Sequence, residues 1–124
     1  MMQIVYIAIG GALGAVMRFL VSTGVHKVLG RDFPYGTLSV NVIGSLVMGF
    51  LFVTLIERSS LGPEWRALIL VGFLGAFTTF STFSIETLNL LQDGAITKAF
   101  VNIIISVVCC ILATWLGVIM GRQL

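Results

Sequence analysis

Charge is what this sequence has least of. Only 10% of its 124 residues are charged, against about a quarter in ordinary soluble domains. Seven basic and five acidic residues leave a net charge of +2, which excludes the dense basic surface that nucleic acid requires. Histidine occurs once, at His26, without cysteine or carboxylate companions at ligand spacing. A transition-metal site is therefore not expected, and the ring is expected at a membrane interface. The two cysteines, Cys109 and Cys110, are neighbours in an apolar run. On a helix they point about 100° apart, so they read as small hydrophobes and not as a bridge. No His, Cys and carboxylate set stands together and no spacing pairs a nucleophile with a base, so the expectation is not an enzyme. The start, Met1-Met2-Gln3-Ile4-Val5, lacks a basic n-region, so the first hydrophobic stretch is expected to remain as a span.

What the chain has in abundance is apolar surface. Hydrophobic residues make up 58% of it, and the mean hydropathy is +1.11. A chain this short cannot hide so much apolar surface from water, so the solvent for it must be lipid. A hydrocarbon core of about 30 Å takes roughly 20 helical residues to cross. Four stretches qualify, at about 4–25, 35–56, 65–91 and 98–120. The linkers hold most of the charges and both prolines, Pro34 and Pro63, each just ahead of a helix where a missing N–H costs little. Asp93-Gly94 supplies the last turn. Residues 1–124 thus read as one all-α, four-helix transmembrane domain.

Small residues recur at helix-packing intervals: Gly10 with Gly14, Ser45 with Gly49, and Gly117 with Gly121. Such grooves let helix backbones approach closely in lipid. Charge bias is absent. Arg58, Arg66 and Arg122 fall on one side of the bilayer, Lys27, Arg31 and Lys98 on the other, so the positive-inside rule gives no preferred orientation. A chain without bias can insert both ways up, and two opposed copies can pair about a two-fold axis in the membrane plane. An antiparallel, dual-topology homodimer is the expectation.

Polar groups inside spans are costly and are therefore candidates for function. Arg18 lies within span one, where it either lines a vestibule or tethers one helix to another. Asn41, in span two, serves either a polar pathway or an interhelical hydrogen bond. Span three carries Gly72-Phe73-Leu74-Gly75-Ala76-Phe77-Thr78-Thr79-Phe80-Ser81-Thr82-Phe83-Ser84, then Glu86. Its hydroxyls compete for backbone carbonyls, and Gly75 relaxes the bias toward helix, so a break is expected here. Broken backbone at mid-membrane is tolerated only inside protein or beside a polar cavity. Phe80 and Phe83 either fill space or present positive ring edges to an anion, together with donors from Asn41, Ser81 and Thr82. On span four, Asn102, Ser106, Cys110 and Thr114 recur every four residues, a polar stripe that either lines a narrow path or bonds neighbouring helices.

These segments resemble the Fluc fluoride channel family, also known as CrcB, over essentially the whole chain. The likeness rests on the Gly10-to-Arg18 stretch, on Gly36-Thr37…Asn41…Gly44, and above all on the block from Gly72 to Ser84; span four matches by its stripe more than by identity. The resemblance implies an antiparallel homodimer with two fluoride pores in a bacterial inner membrane, letting cytoplasmic fluoride leave passively. It implies pores lined by Asn41, Phe80, Phe83, Ser81 and Thr82, continued by Ser106 and Thr114, with Arg18 beside them. It also implies a structural sodium ion at the dimer centre, held by backbone carbonyls of Gly75 and Thr78 from both copies. A small proton-coupled exporter of cationic drugs is the main rival; it would need Glu86 as its embedded carboxylate, with an aromatic cage the sequence does not offer. A non-transporting assembly subunit would leave the Thr/Ser/Phe block unused.

Overall fold

The computed structural model describes residues 1–58 and 61–124, and every regular element in them is helical. α1 is Met2–Leu29; α2 is Tyr35–Leu51, continued by a π-helical segment, Phe52–Glu57. The third span opens as α3, Pro63–Arg66, widens into a π-helical segment, Ala67–Leu74, and ends its first half as α4, Gly75–Phe77. It resumes as α5, Phe80–Gln92, and α6 is Ile96–Gln123. The stretches Met2–Leu29, Tyr35–Glu57, Pro63–Gln92 and Ile96–Gln123 are each long and apolar enough to cross a bilayer, as the four hydrophobic runs predict. The chain is a multi-pass membrane protein. α1 outruns its hydrophobic run by four residues at its C-terminal end. Its 28 residues extend about 42 Å, which carries it past the hydrocarbon into the headgroups. Hydropathy marks the hydrocarbon, not the end of the helix.

The ends follow local chemistry. Pro63 occupies the first helical position of α3, as expected. α5 stops at Gly94, whose φ of 82° is left-handed; the Ala95 amide reaches back to the Leu90 carbonyl (2.9 Å) and the Gly94 amide to Leu91 (3.1 Å), a Schellman close. In the π-helical turn after α2 the Thr54 hydroxyl bonds the Phe50 carbonyl at 3.1 Å and the Arg58 amide closes on Val53. Nothing in the residue pattern of Ala67–Leu74 announces its π-helical course.

Packing is inverted relative to a soluble bundle. Ile4, Ile9, Ile103, Ile104 and Ile111 face outward, while Gly10, Gly14, Gly49, Gly117, Thr37, Thr87, Asn102 and Ser106 are buried. Lipid tails are as apolar as leucine, so tight backbone approach and hydrogen bonds hold the helices together. α1 lies along the first half of the third span, and α2 along α6. The small-residue motifs sit at these seams. A Cβ on Gly10 or Gly14 would strike the carbonyl of Leu68 or Phe73; one on Gly49 or Gly117 would strike that of Thr114 or Leu46. At the ends, the Lys98 ammonium donates to the Asp32 carbonyl (3.3 Å), while Arg58 donates to the Arg122 carbonyl and Arg122 lies 3.8 Å from Glu57. First linker and last turn thus share one face, second linker and C-terminal end the other.

The third span is interrupted at two residues. Thr78 (φ −89°, ψ 160°) and Thr79 (φ −153°, ψ 122°) are extended, whereas Gly75 keeps helical angles (φ −60°, ψ −38°). The break falls within the expected block from Gly72 to Ser84, at its paired threonines and not at Gly75 itself.

The seams make a simple prediction. Gly10→Ala should cost about 1–3 kcal/mol, because its methyl meets a backbone carbonyl that cannot swing away. Gly11→Ala, one residue on but with only the Gly72 carbonyl at 3.9 Å, should leave the melting temperature in detergent nearly unchanged. Equal melting points for the two variants would contradict this packing.

Candidate functional site

The break is built by exchanging hydrogen-bond partners. In an unbroken helix the Thr79 amide would close on the Gly75 carbonyl. Here it donates instead to Asn41 Oδ1 at 2.7 Å, and Asn41 Nδ2 returns a bond to the Thr79 carbonyl at 3.0 Å. The Asn41 amide thus serves both backbone groups of Thr79 as a neighbouring strand would. The Thr79 hydroxyl accepts from the Thr82 amide at 3.2 Å and caps α5. Thr78 closes α4 through its amide (3.1 Å) and its hydroxyl (3.0 Å), both on the Leu74 carbonyl. Arg18 reaches across from α1, and its Nε donates to the Ala76 carbonyl at 3.0 Å. The carbonyls of residues 75–78 all lose their helical donors at the break, and Arg18 takes up that of Ala76. The Gly75 carbonyl loses the Thr79 amide to Asn41, and the Thr78 carbonyl loses the Thr82 amide to the Thr79 hydroxyl. Gly75 is exposed on the outer surface of the helix bundle.

Beside the break runs a half-open groove of about 410 Å³. α2 lines it with Asn41, Gly44, Ser45 and Met48; the break and α5 with Thr78, Thr79, Phe80 and Phe83; and α6 with Ser106, Val107, Cys110, Ile111 and Thr114, Leu74 completing it. Gly44 is needed there, because a Cβ would collide with the Thr78 methyl. Phe80 is 76% exposed and Phe83 is buried, with centroids 5.3 Å apart and planes tilted by 44°. No charged side chain lines the groove among the described residues.

The structure therefore gathers Asn41, Phe80, Phe83, Ser106 and Thr114 into one place. Ser81, Thr82 and Arg18 lie outside it. Ser81 and Thr82 turn toward Thr79, at 3.4 and 3.1 Å, and Arg18 is engaged at the back of the break. Asn102 is buried beneath the groove. Glu86 does not line it either; its Oε1 is buried without a hydrogen-bond partner among the described residues. His26 is half-buried, its Nδ1 3.2 Å from the Gly30 carbonyl at the end of α1. Ser45 escaped notice as a lining residue, although the signal was present: Asn41, Gly44, Ser45 and Met48 follow the spacing of one helix face. No group of three or more His, Cys, Asp or Glu able to hold a metal exists among the described residues.

The chain is similar to known proteins over nearly its whole length. The family model described as "CrcB-like protein, Camphor Resistance (CrcB)" matches residues 5–118. Similar proteins named fluoride-specific ion channel FluC occur in Methylococcus capsulatus (57% identical over 95% of this chain and 52% of that protein) and Magnetococcus marinus (53% identical over 98% of each). One from Geobacter sp. strain M21 is 48% identical over the full length of both chains. The chain spans about half the length of the Methylococcus relative. These relatives are named as channels, not enzymes.

The exchange at the break is open to a direct check. Asn41→Leu strips the Thr79 amide of its partner, at about 1–3 kcal/mol for a donor left unpaired, while the Thr79 carbonyl keeps the first helical bond of α5. Amide exchange at Thr79 should accelerate strongly, while amides at the Gly10–Leu68 seam keep their protection. Unchanged protection at Thr79 would remove Asn41 from its role.

Proposed function

The chain belongs to the CrcB family, and on that premise we propose that it is a fluoride channel through which the ion leaves the cell passively. The groove carries this reading: an uncharged cleft of hydroxyls, an amide and aromatic edges beside broken backbone. Fluoride is small and tightly hydrated, so a path for it must replace water with closely spaced donors without holding the ion too firmly. A lysine or arginine in the path would hold it; an aspartate or glutamate would repel it. Asn41 uses one Nδ2 hydrogen on Thr79 and keeps a second for an ion. Ser45, Ser106 and Thr114 offer hydroxyls, and Phe80 and Phe83 offer positive ring edges that bring no mobile counter-charge. Arg18, Ser81 and Thr82 act behind this path, Arg18 by holding the Ala76 carbonyl and the two hydroxyls by meeting the Thr79 side chain that caps α5.

Phe80 stands uncovered and the groove has an open side, as expected if a second copy supplies the missing wall. The balanced linker charges favour an antiparallel partner, and each groove of such a homodimer would make its own pore. The Gly75 and Thr78 carbonyls suit the sodium ion that the family implies. Both have lost their helical donors, and oxygen-only ligands match a hard cation. Bound there, sodium would supply a fixed positive charge that draws the carbonyls of two copies together. The outward direction needs no pump. Hydrogen fluoride entering a bacterial cell dissociates at the higher internal pH, and an inside-negative potential then drives the anion back out.

Purified protein in liposomes should discharge a fluoride gradient and leave a chloride gradient standing. Phe83→Ile should slow fluoride discharge by at least tenfold while the protein still elutes as a dimer. Equal discharge of the two anions by the wild type would end the fluoride assignment.

A further inference from the structure

Beneath the groove, four polar groups on α5 and α6 form a chain of hydrogen bonds whose direction is dictated from one end. The Thr87 hydroxyl donates to the Phe83 carbonyl at 2.7 Å. A carbonyl only accepts, and a hydroxyl has a single hydrogen, so Thr87 Oγ1 can meet Asn102 only as an acceptor. That turns Asn102 Nδ2 toward Thr87, at 2.9 Å, and leaves Oδ1 facing Ser106. An amide oxygen only accepts, so the one hydrogen of Ser106 goes to Asn102, at 3.3 Å. Asn102 is 1% exposed, and Thr87 and Ser106 are buried with it. Water does not reach the Asn102 amide.

This has a consequence for the groove that Ser106 lines. With its hydrogen turned inward, Ser106 presents lone pairs to the cleft, which repel an anion. We propose that Asn102 is a positioning residue that withholds the Ser106 hydrogen, so that an anion is bound at this point only when the hydroxyl leaves Asn102 and turns to the ion. The inference rests on the fluoride-channel reading above and names a determinant of its affinity. The Ser106–Asn102 link is the longest of the chain and the first to open. Opening it strands a buried amide oxygen, which holds back affinity and keeps the ion moving. Thr114 differs: its hydroxyl bonds the Cys110 carbonyl at 3.0 Å within α6, a carbonyl that also serves the helix. Ser106 instead has its donor tied to a buried amide oxygen with no other partner among the described residues.

The test is a cycle of variants read as the fluoride concentration that half-saturates efflux from proteoliposomes. Asn102→Leu removes the acceptor and frees the Ser106 hydrogen, so half-saturation should fall roughly two- to tenfold, the worth of one hydrogen bond exchanged. Thr87→Val, which lifts the constraint on the amide and lets it turn over, should shift it the same way, and Thr87→Ser should restore the wild-type value. In a Ser106→Ala background, which itself slows efflux, Asn102→Leu and Thr87→Val should produce no further shift. A shift of equal size in both backgrounds, or an unaltered value in every variant that elutes as wild type, overturns the proposal. Wild-type liposomes that hold their fluoride overturn the channel reading and this inference together; wild-type efflux with equal shifts overturns this one alone.

Discussion

A peptide group in hydrocarbon must be bonded, and this molecule is organised around the place where the helix stops bonding its own. At Thr78 and Thr79 the third span turns extended, and several groups lose their helical partners. Two other spans answer. Asn41 from α2 takes both polar groups of Thr79, and Arg18 from α1 takes the Ala76 carbonyl. Each of these polar residues would be costly alone in lipid, and so would the interruption they serve. Together they satisfy one another, and they pin α1 and α2 to the same point of the third span.

Close approach makes these bonds reachable. Glycines at the α1 seam and between α2 and α6 bring backbones to distances that no Cβ would allow, and Gly44 admits the Thr78 methyl beside the break. The groove follows. It lies where the interrupted span can no longer fill the space between α2 and α6, and polar and aromatic side chains line it among aliphatic ones, none of them charged. The features proposed to serve an ion are the same ones that keep the interruption stable. Packing and permeation are therefore hard to separate by any substitution at Asn41.

Much of this was legible in the residues. Four spans followed from hydropathy, because lipid demands long apolar runs, and the GxxxG-type pairs fell at real seams. Asn41 stood out because an amide in mid-span needs a reason. Phe80 and Phe83 stood out because they interrupt hydroxyls where aliphatic side chains would be usual. What was missed depended on partners distant in sequence. Gly75 drew attention as the flexible residue, yet the helix opened where Asn41, 38 positions earlier, could take over the bonding. Ser81 and Thr82 lie outside the groove, turned toward the Thr79 hydroxyl. The widened course of Ala67–Leu74 has no counterpart in composition. Asn102 showed as one point on a stripe; that it lies behind the groove and bonds Thr87 became visible only once α5 and α6 were packed.

The claim beneath all of this is that the third span is not helical at residues 78–79 when it lies in a bilayer. Isotope-edited infrared spectroscopy tests it most directly, with a single carbon-13, oxygen-18 carbonyl placed at Thr78 in protein reconstituted into lipid. The account predicts an amide band at the position of extended backbone, and a matching label at Leu70 absorbing as helix. A Thr78 band that coincides with the helical one would contradict it.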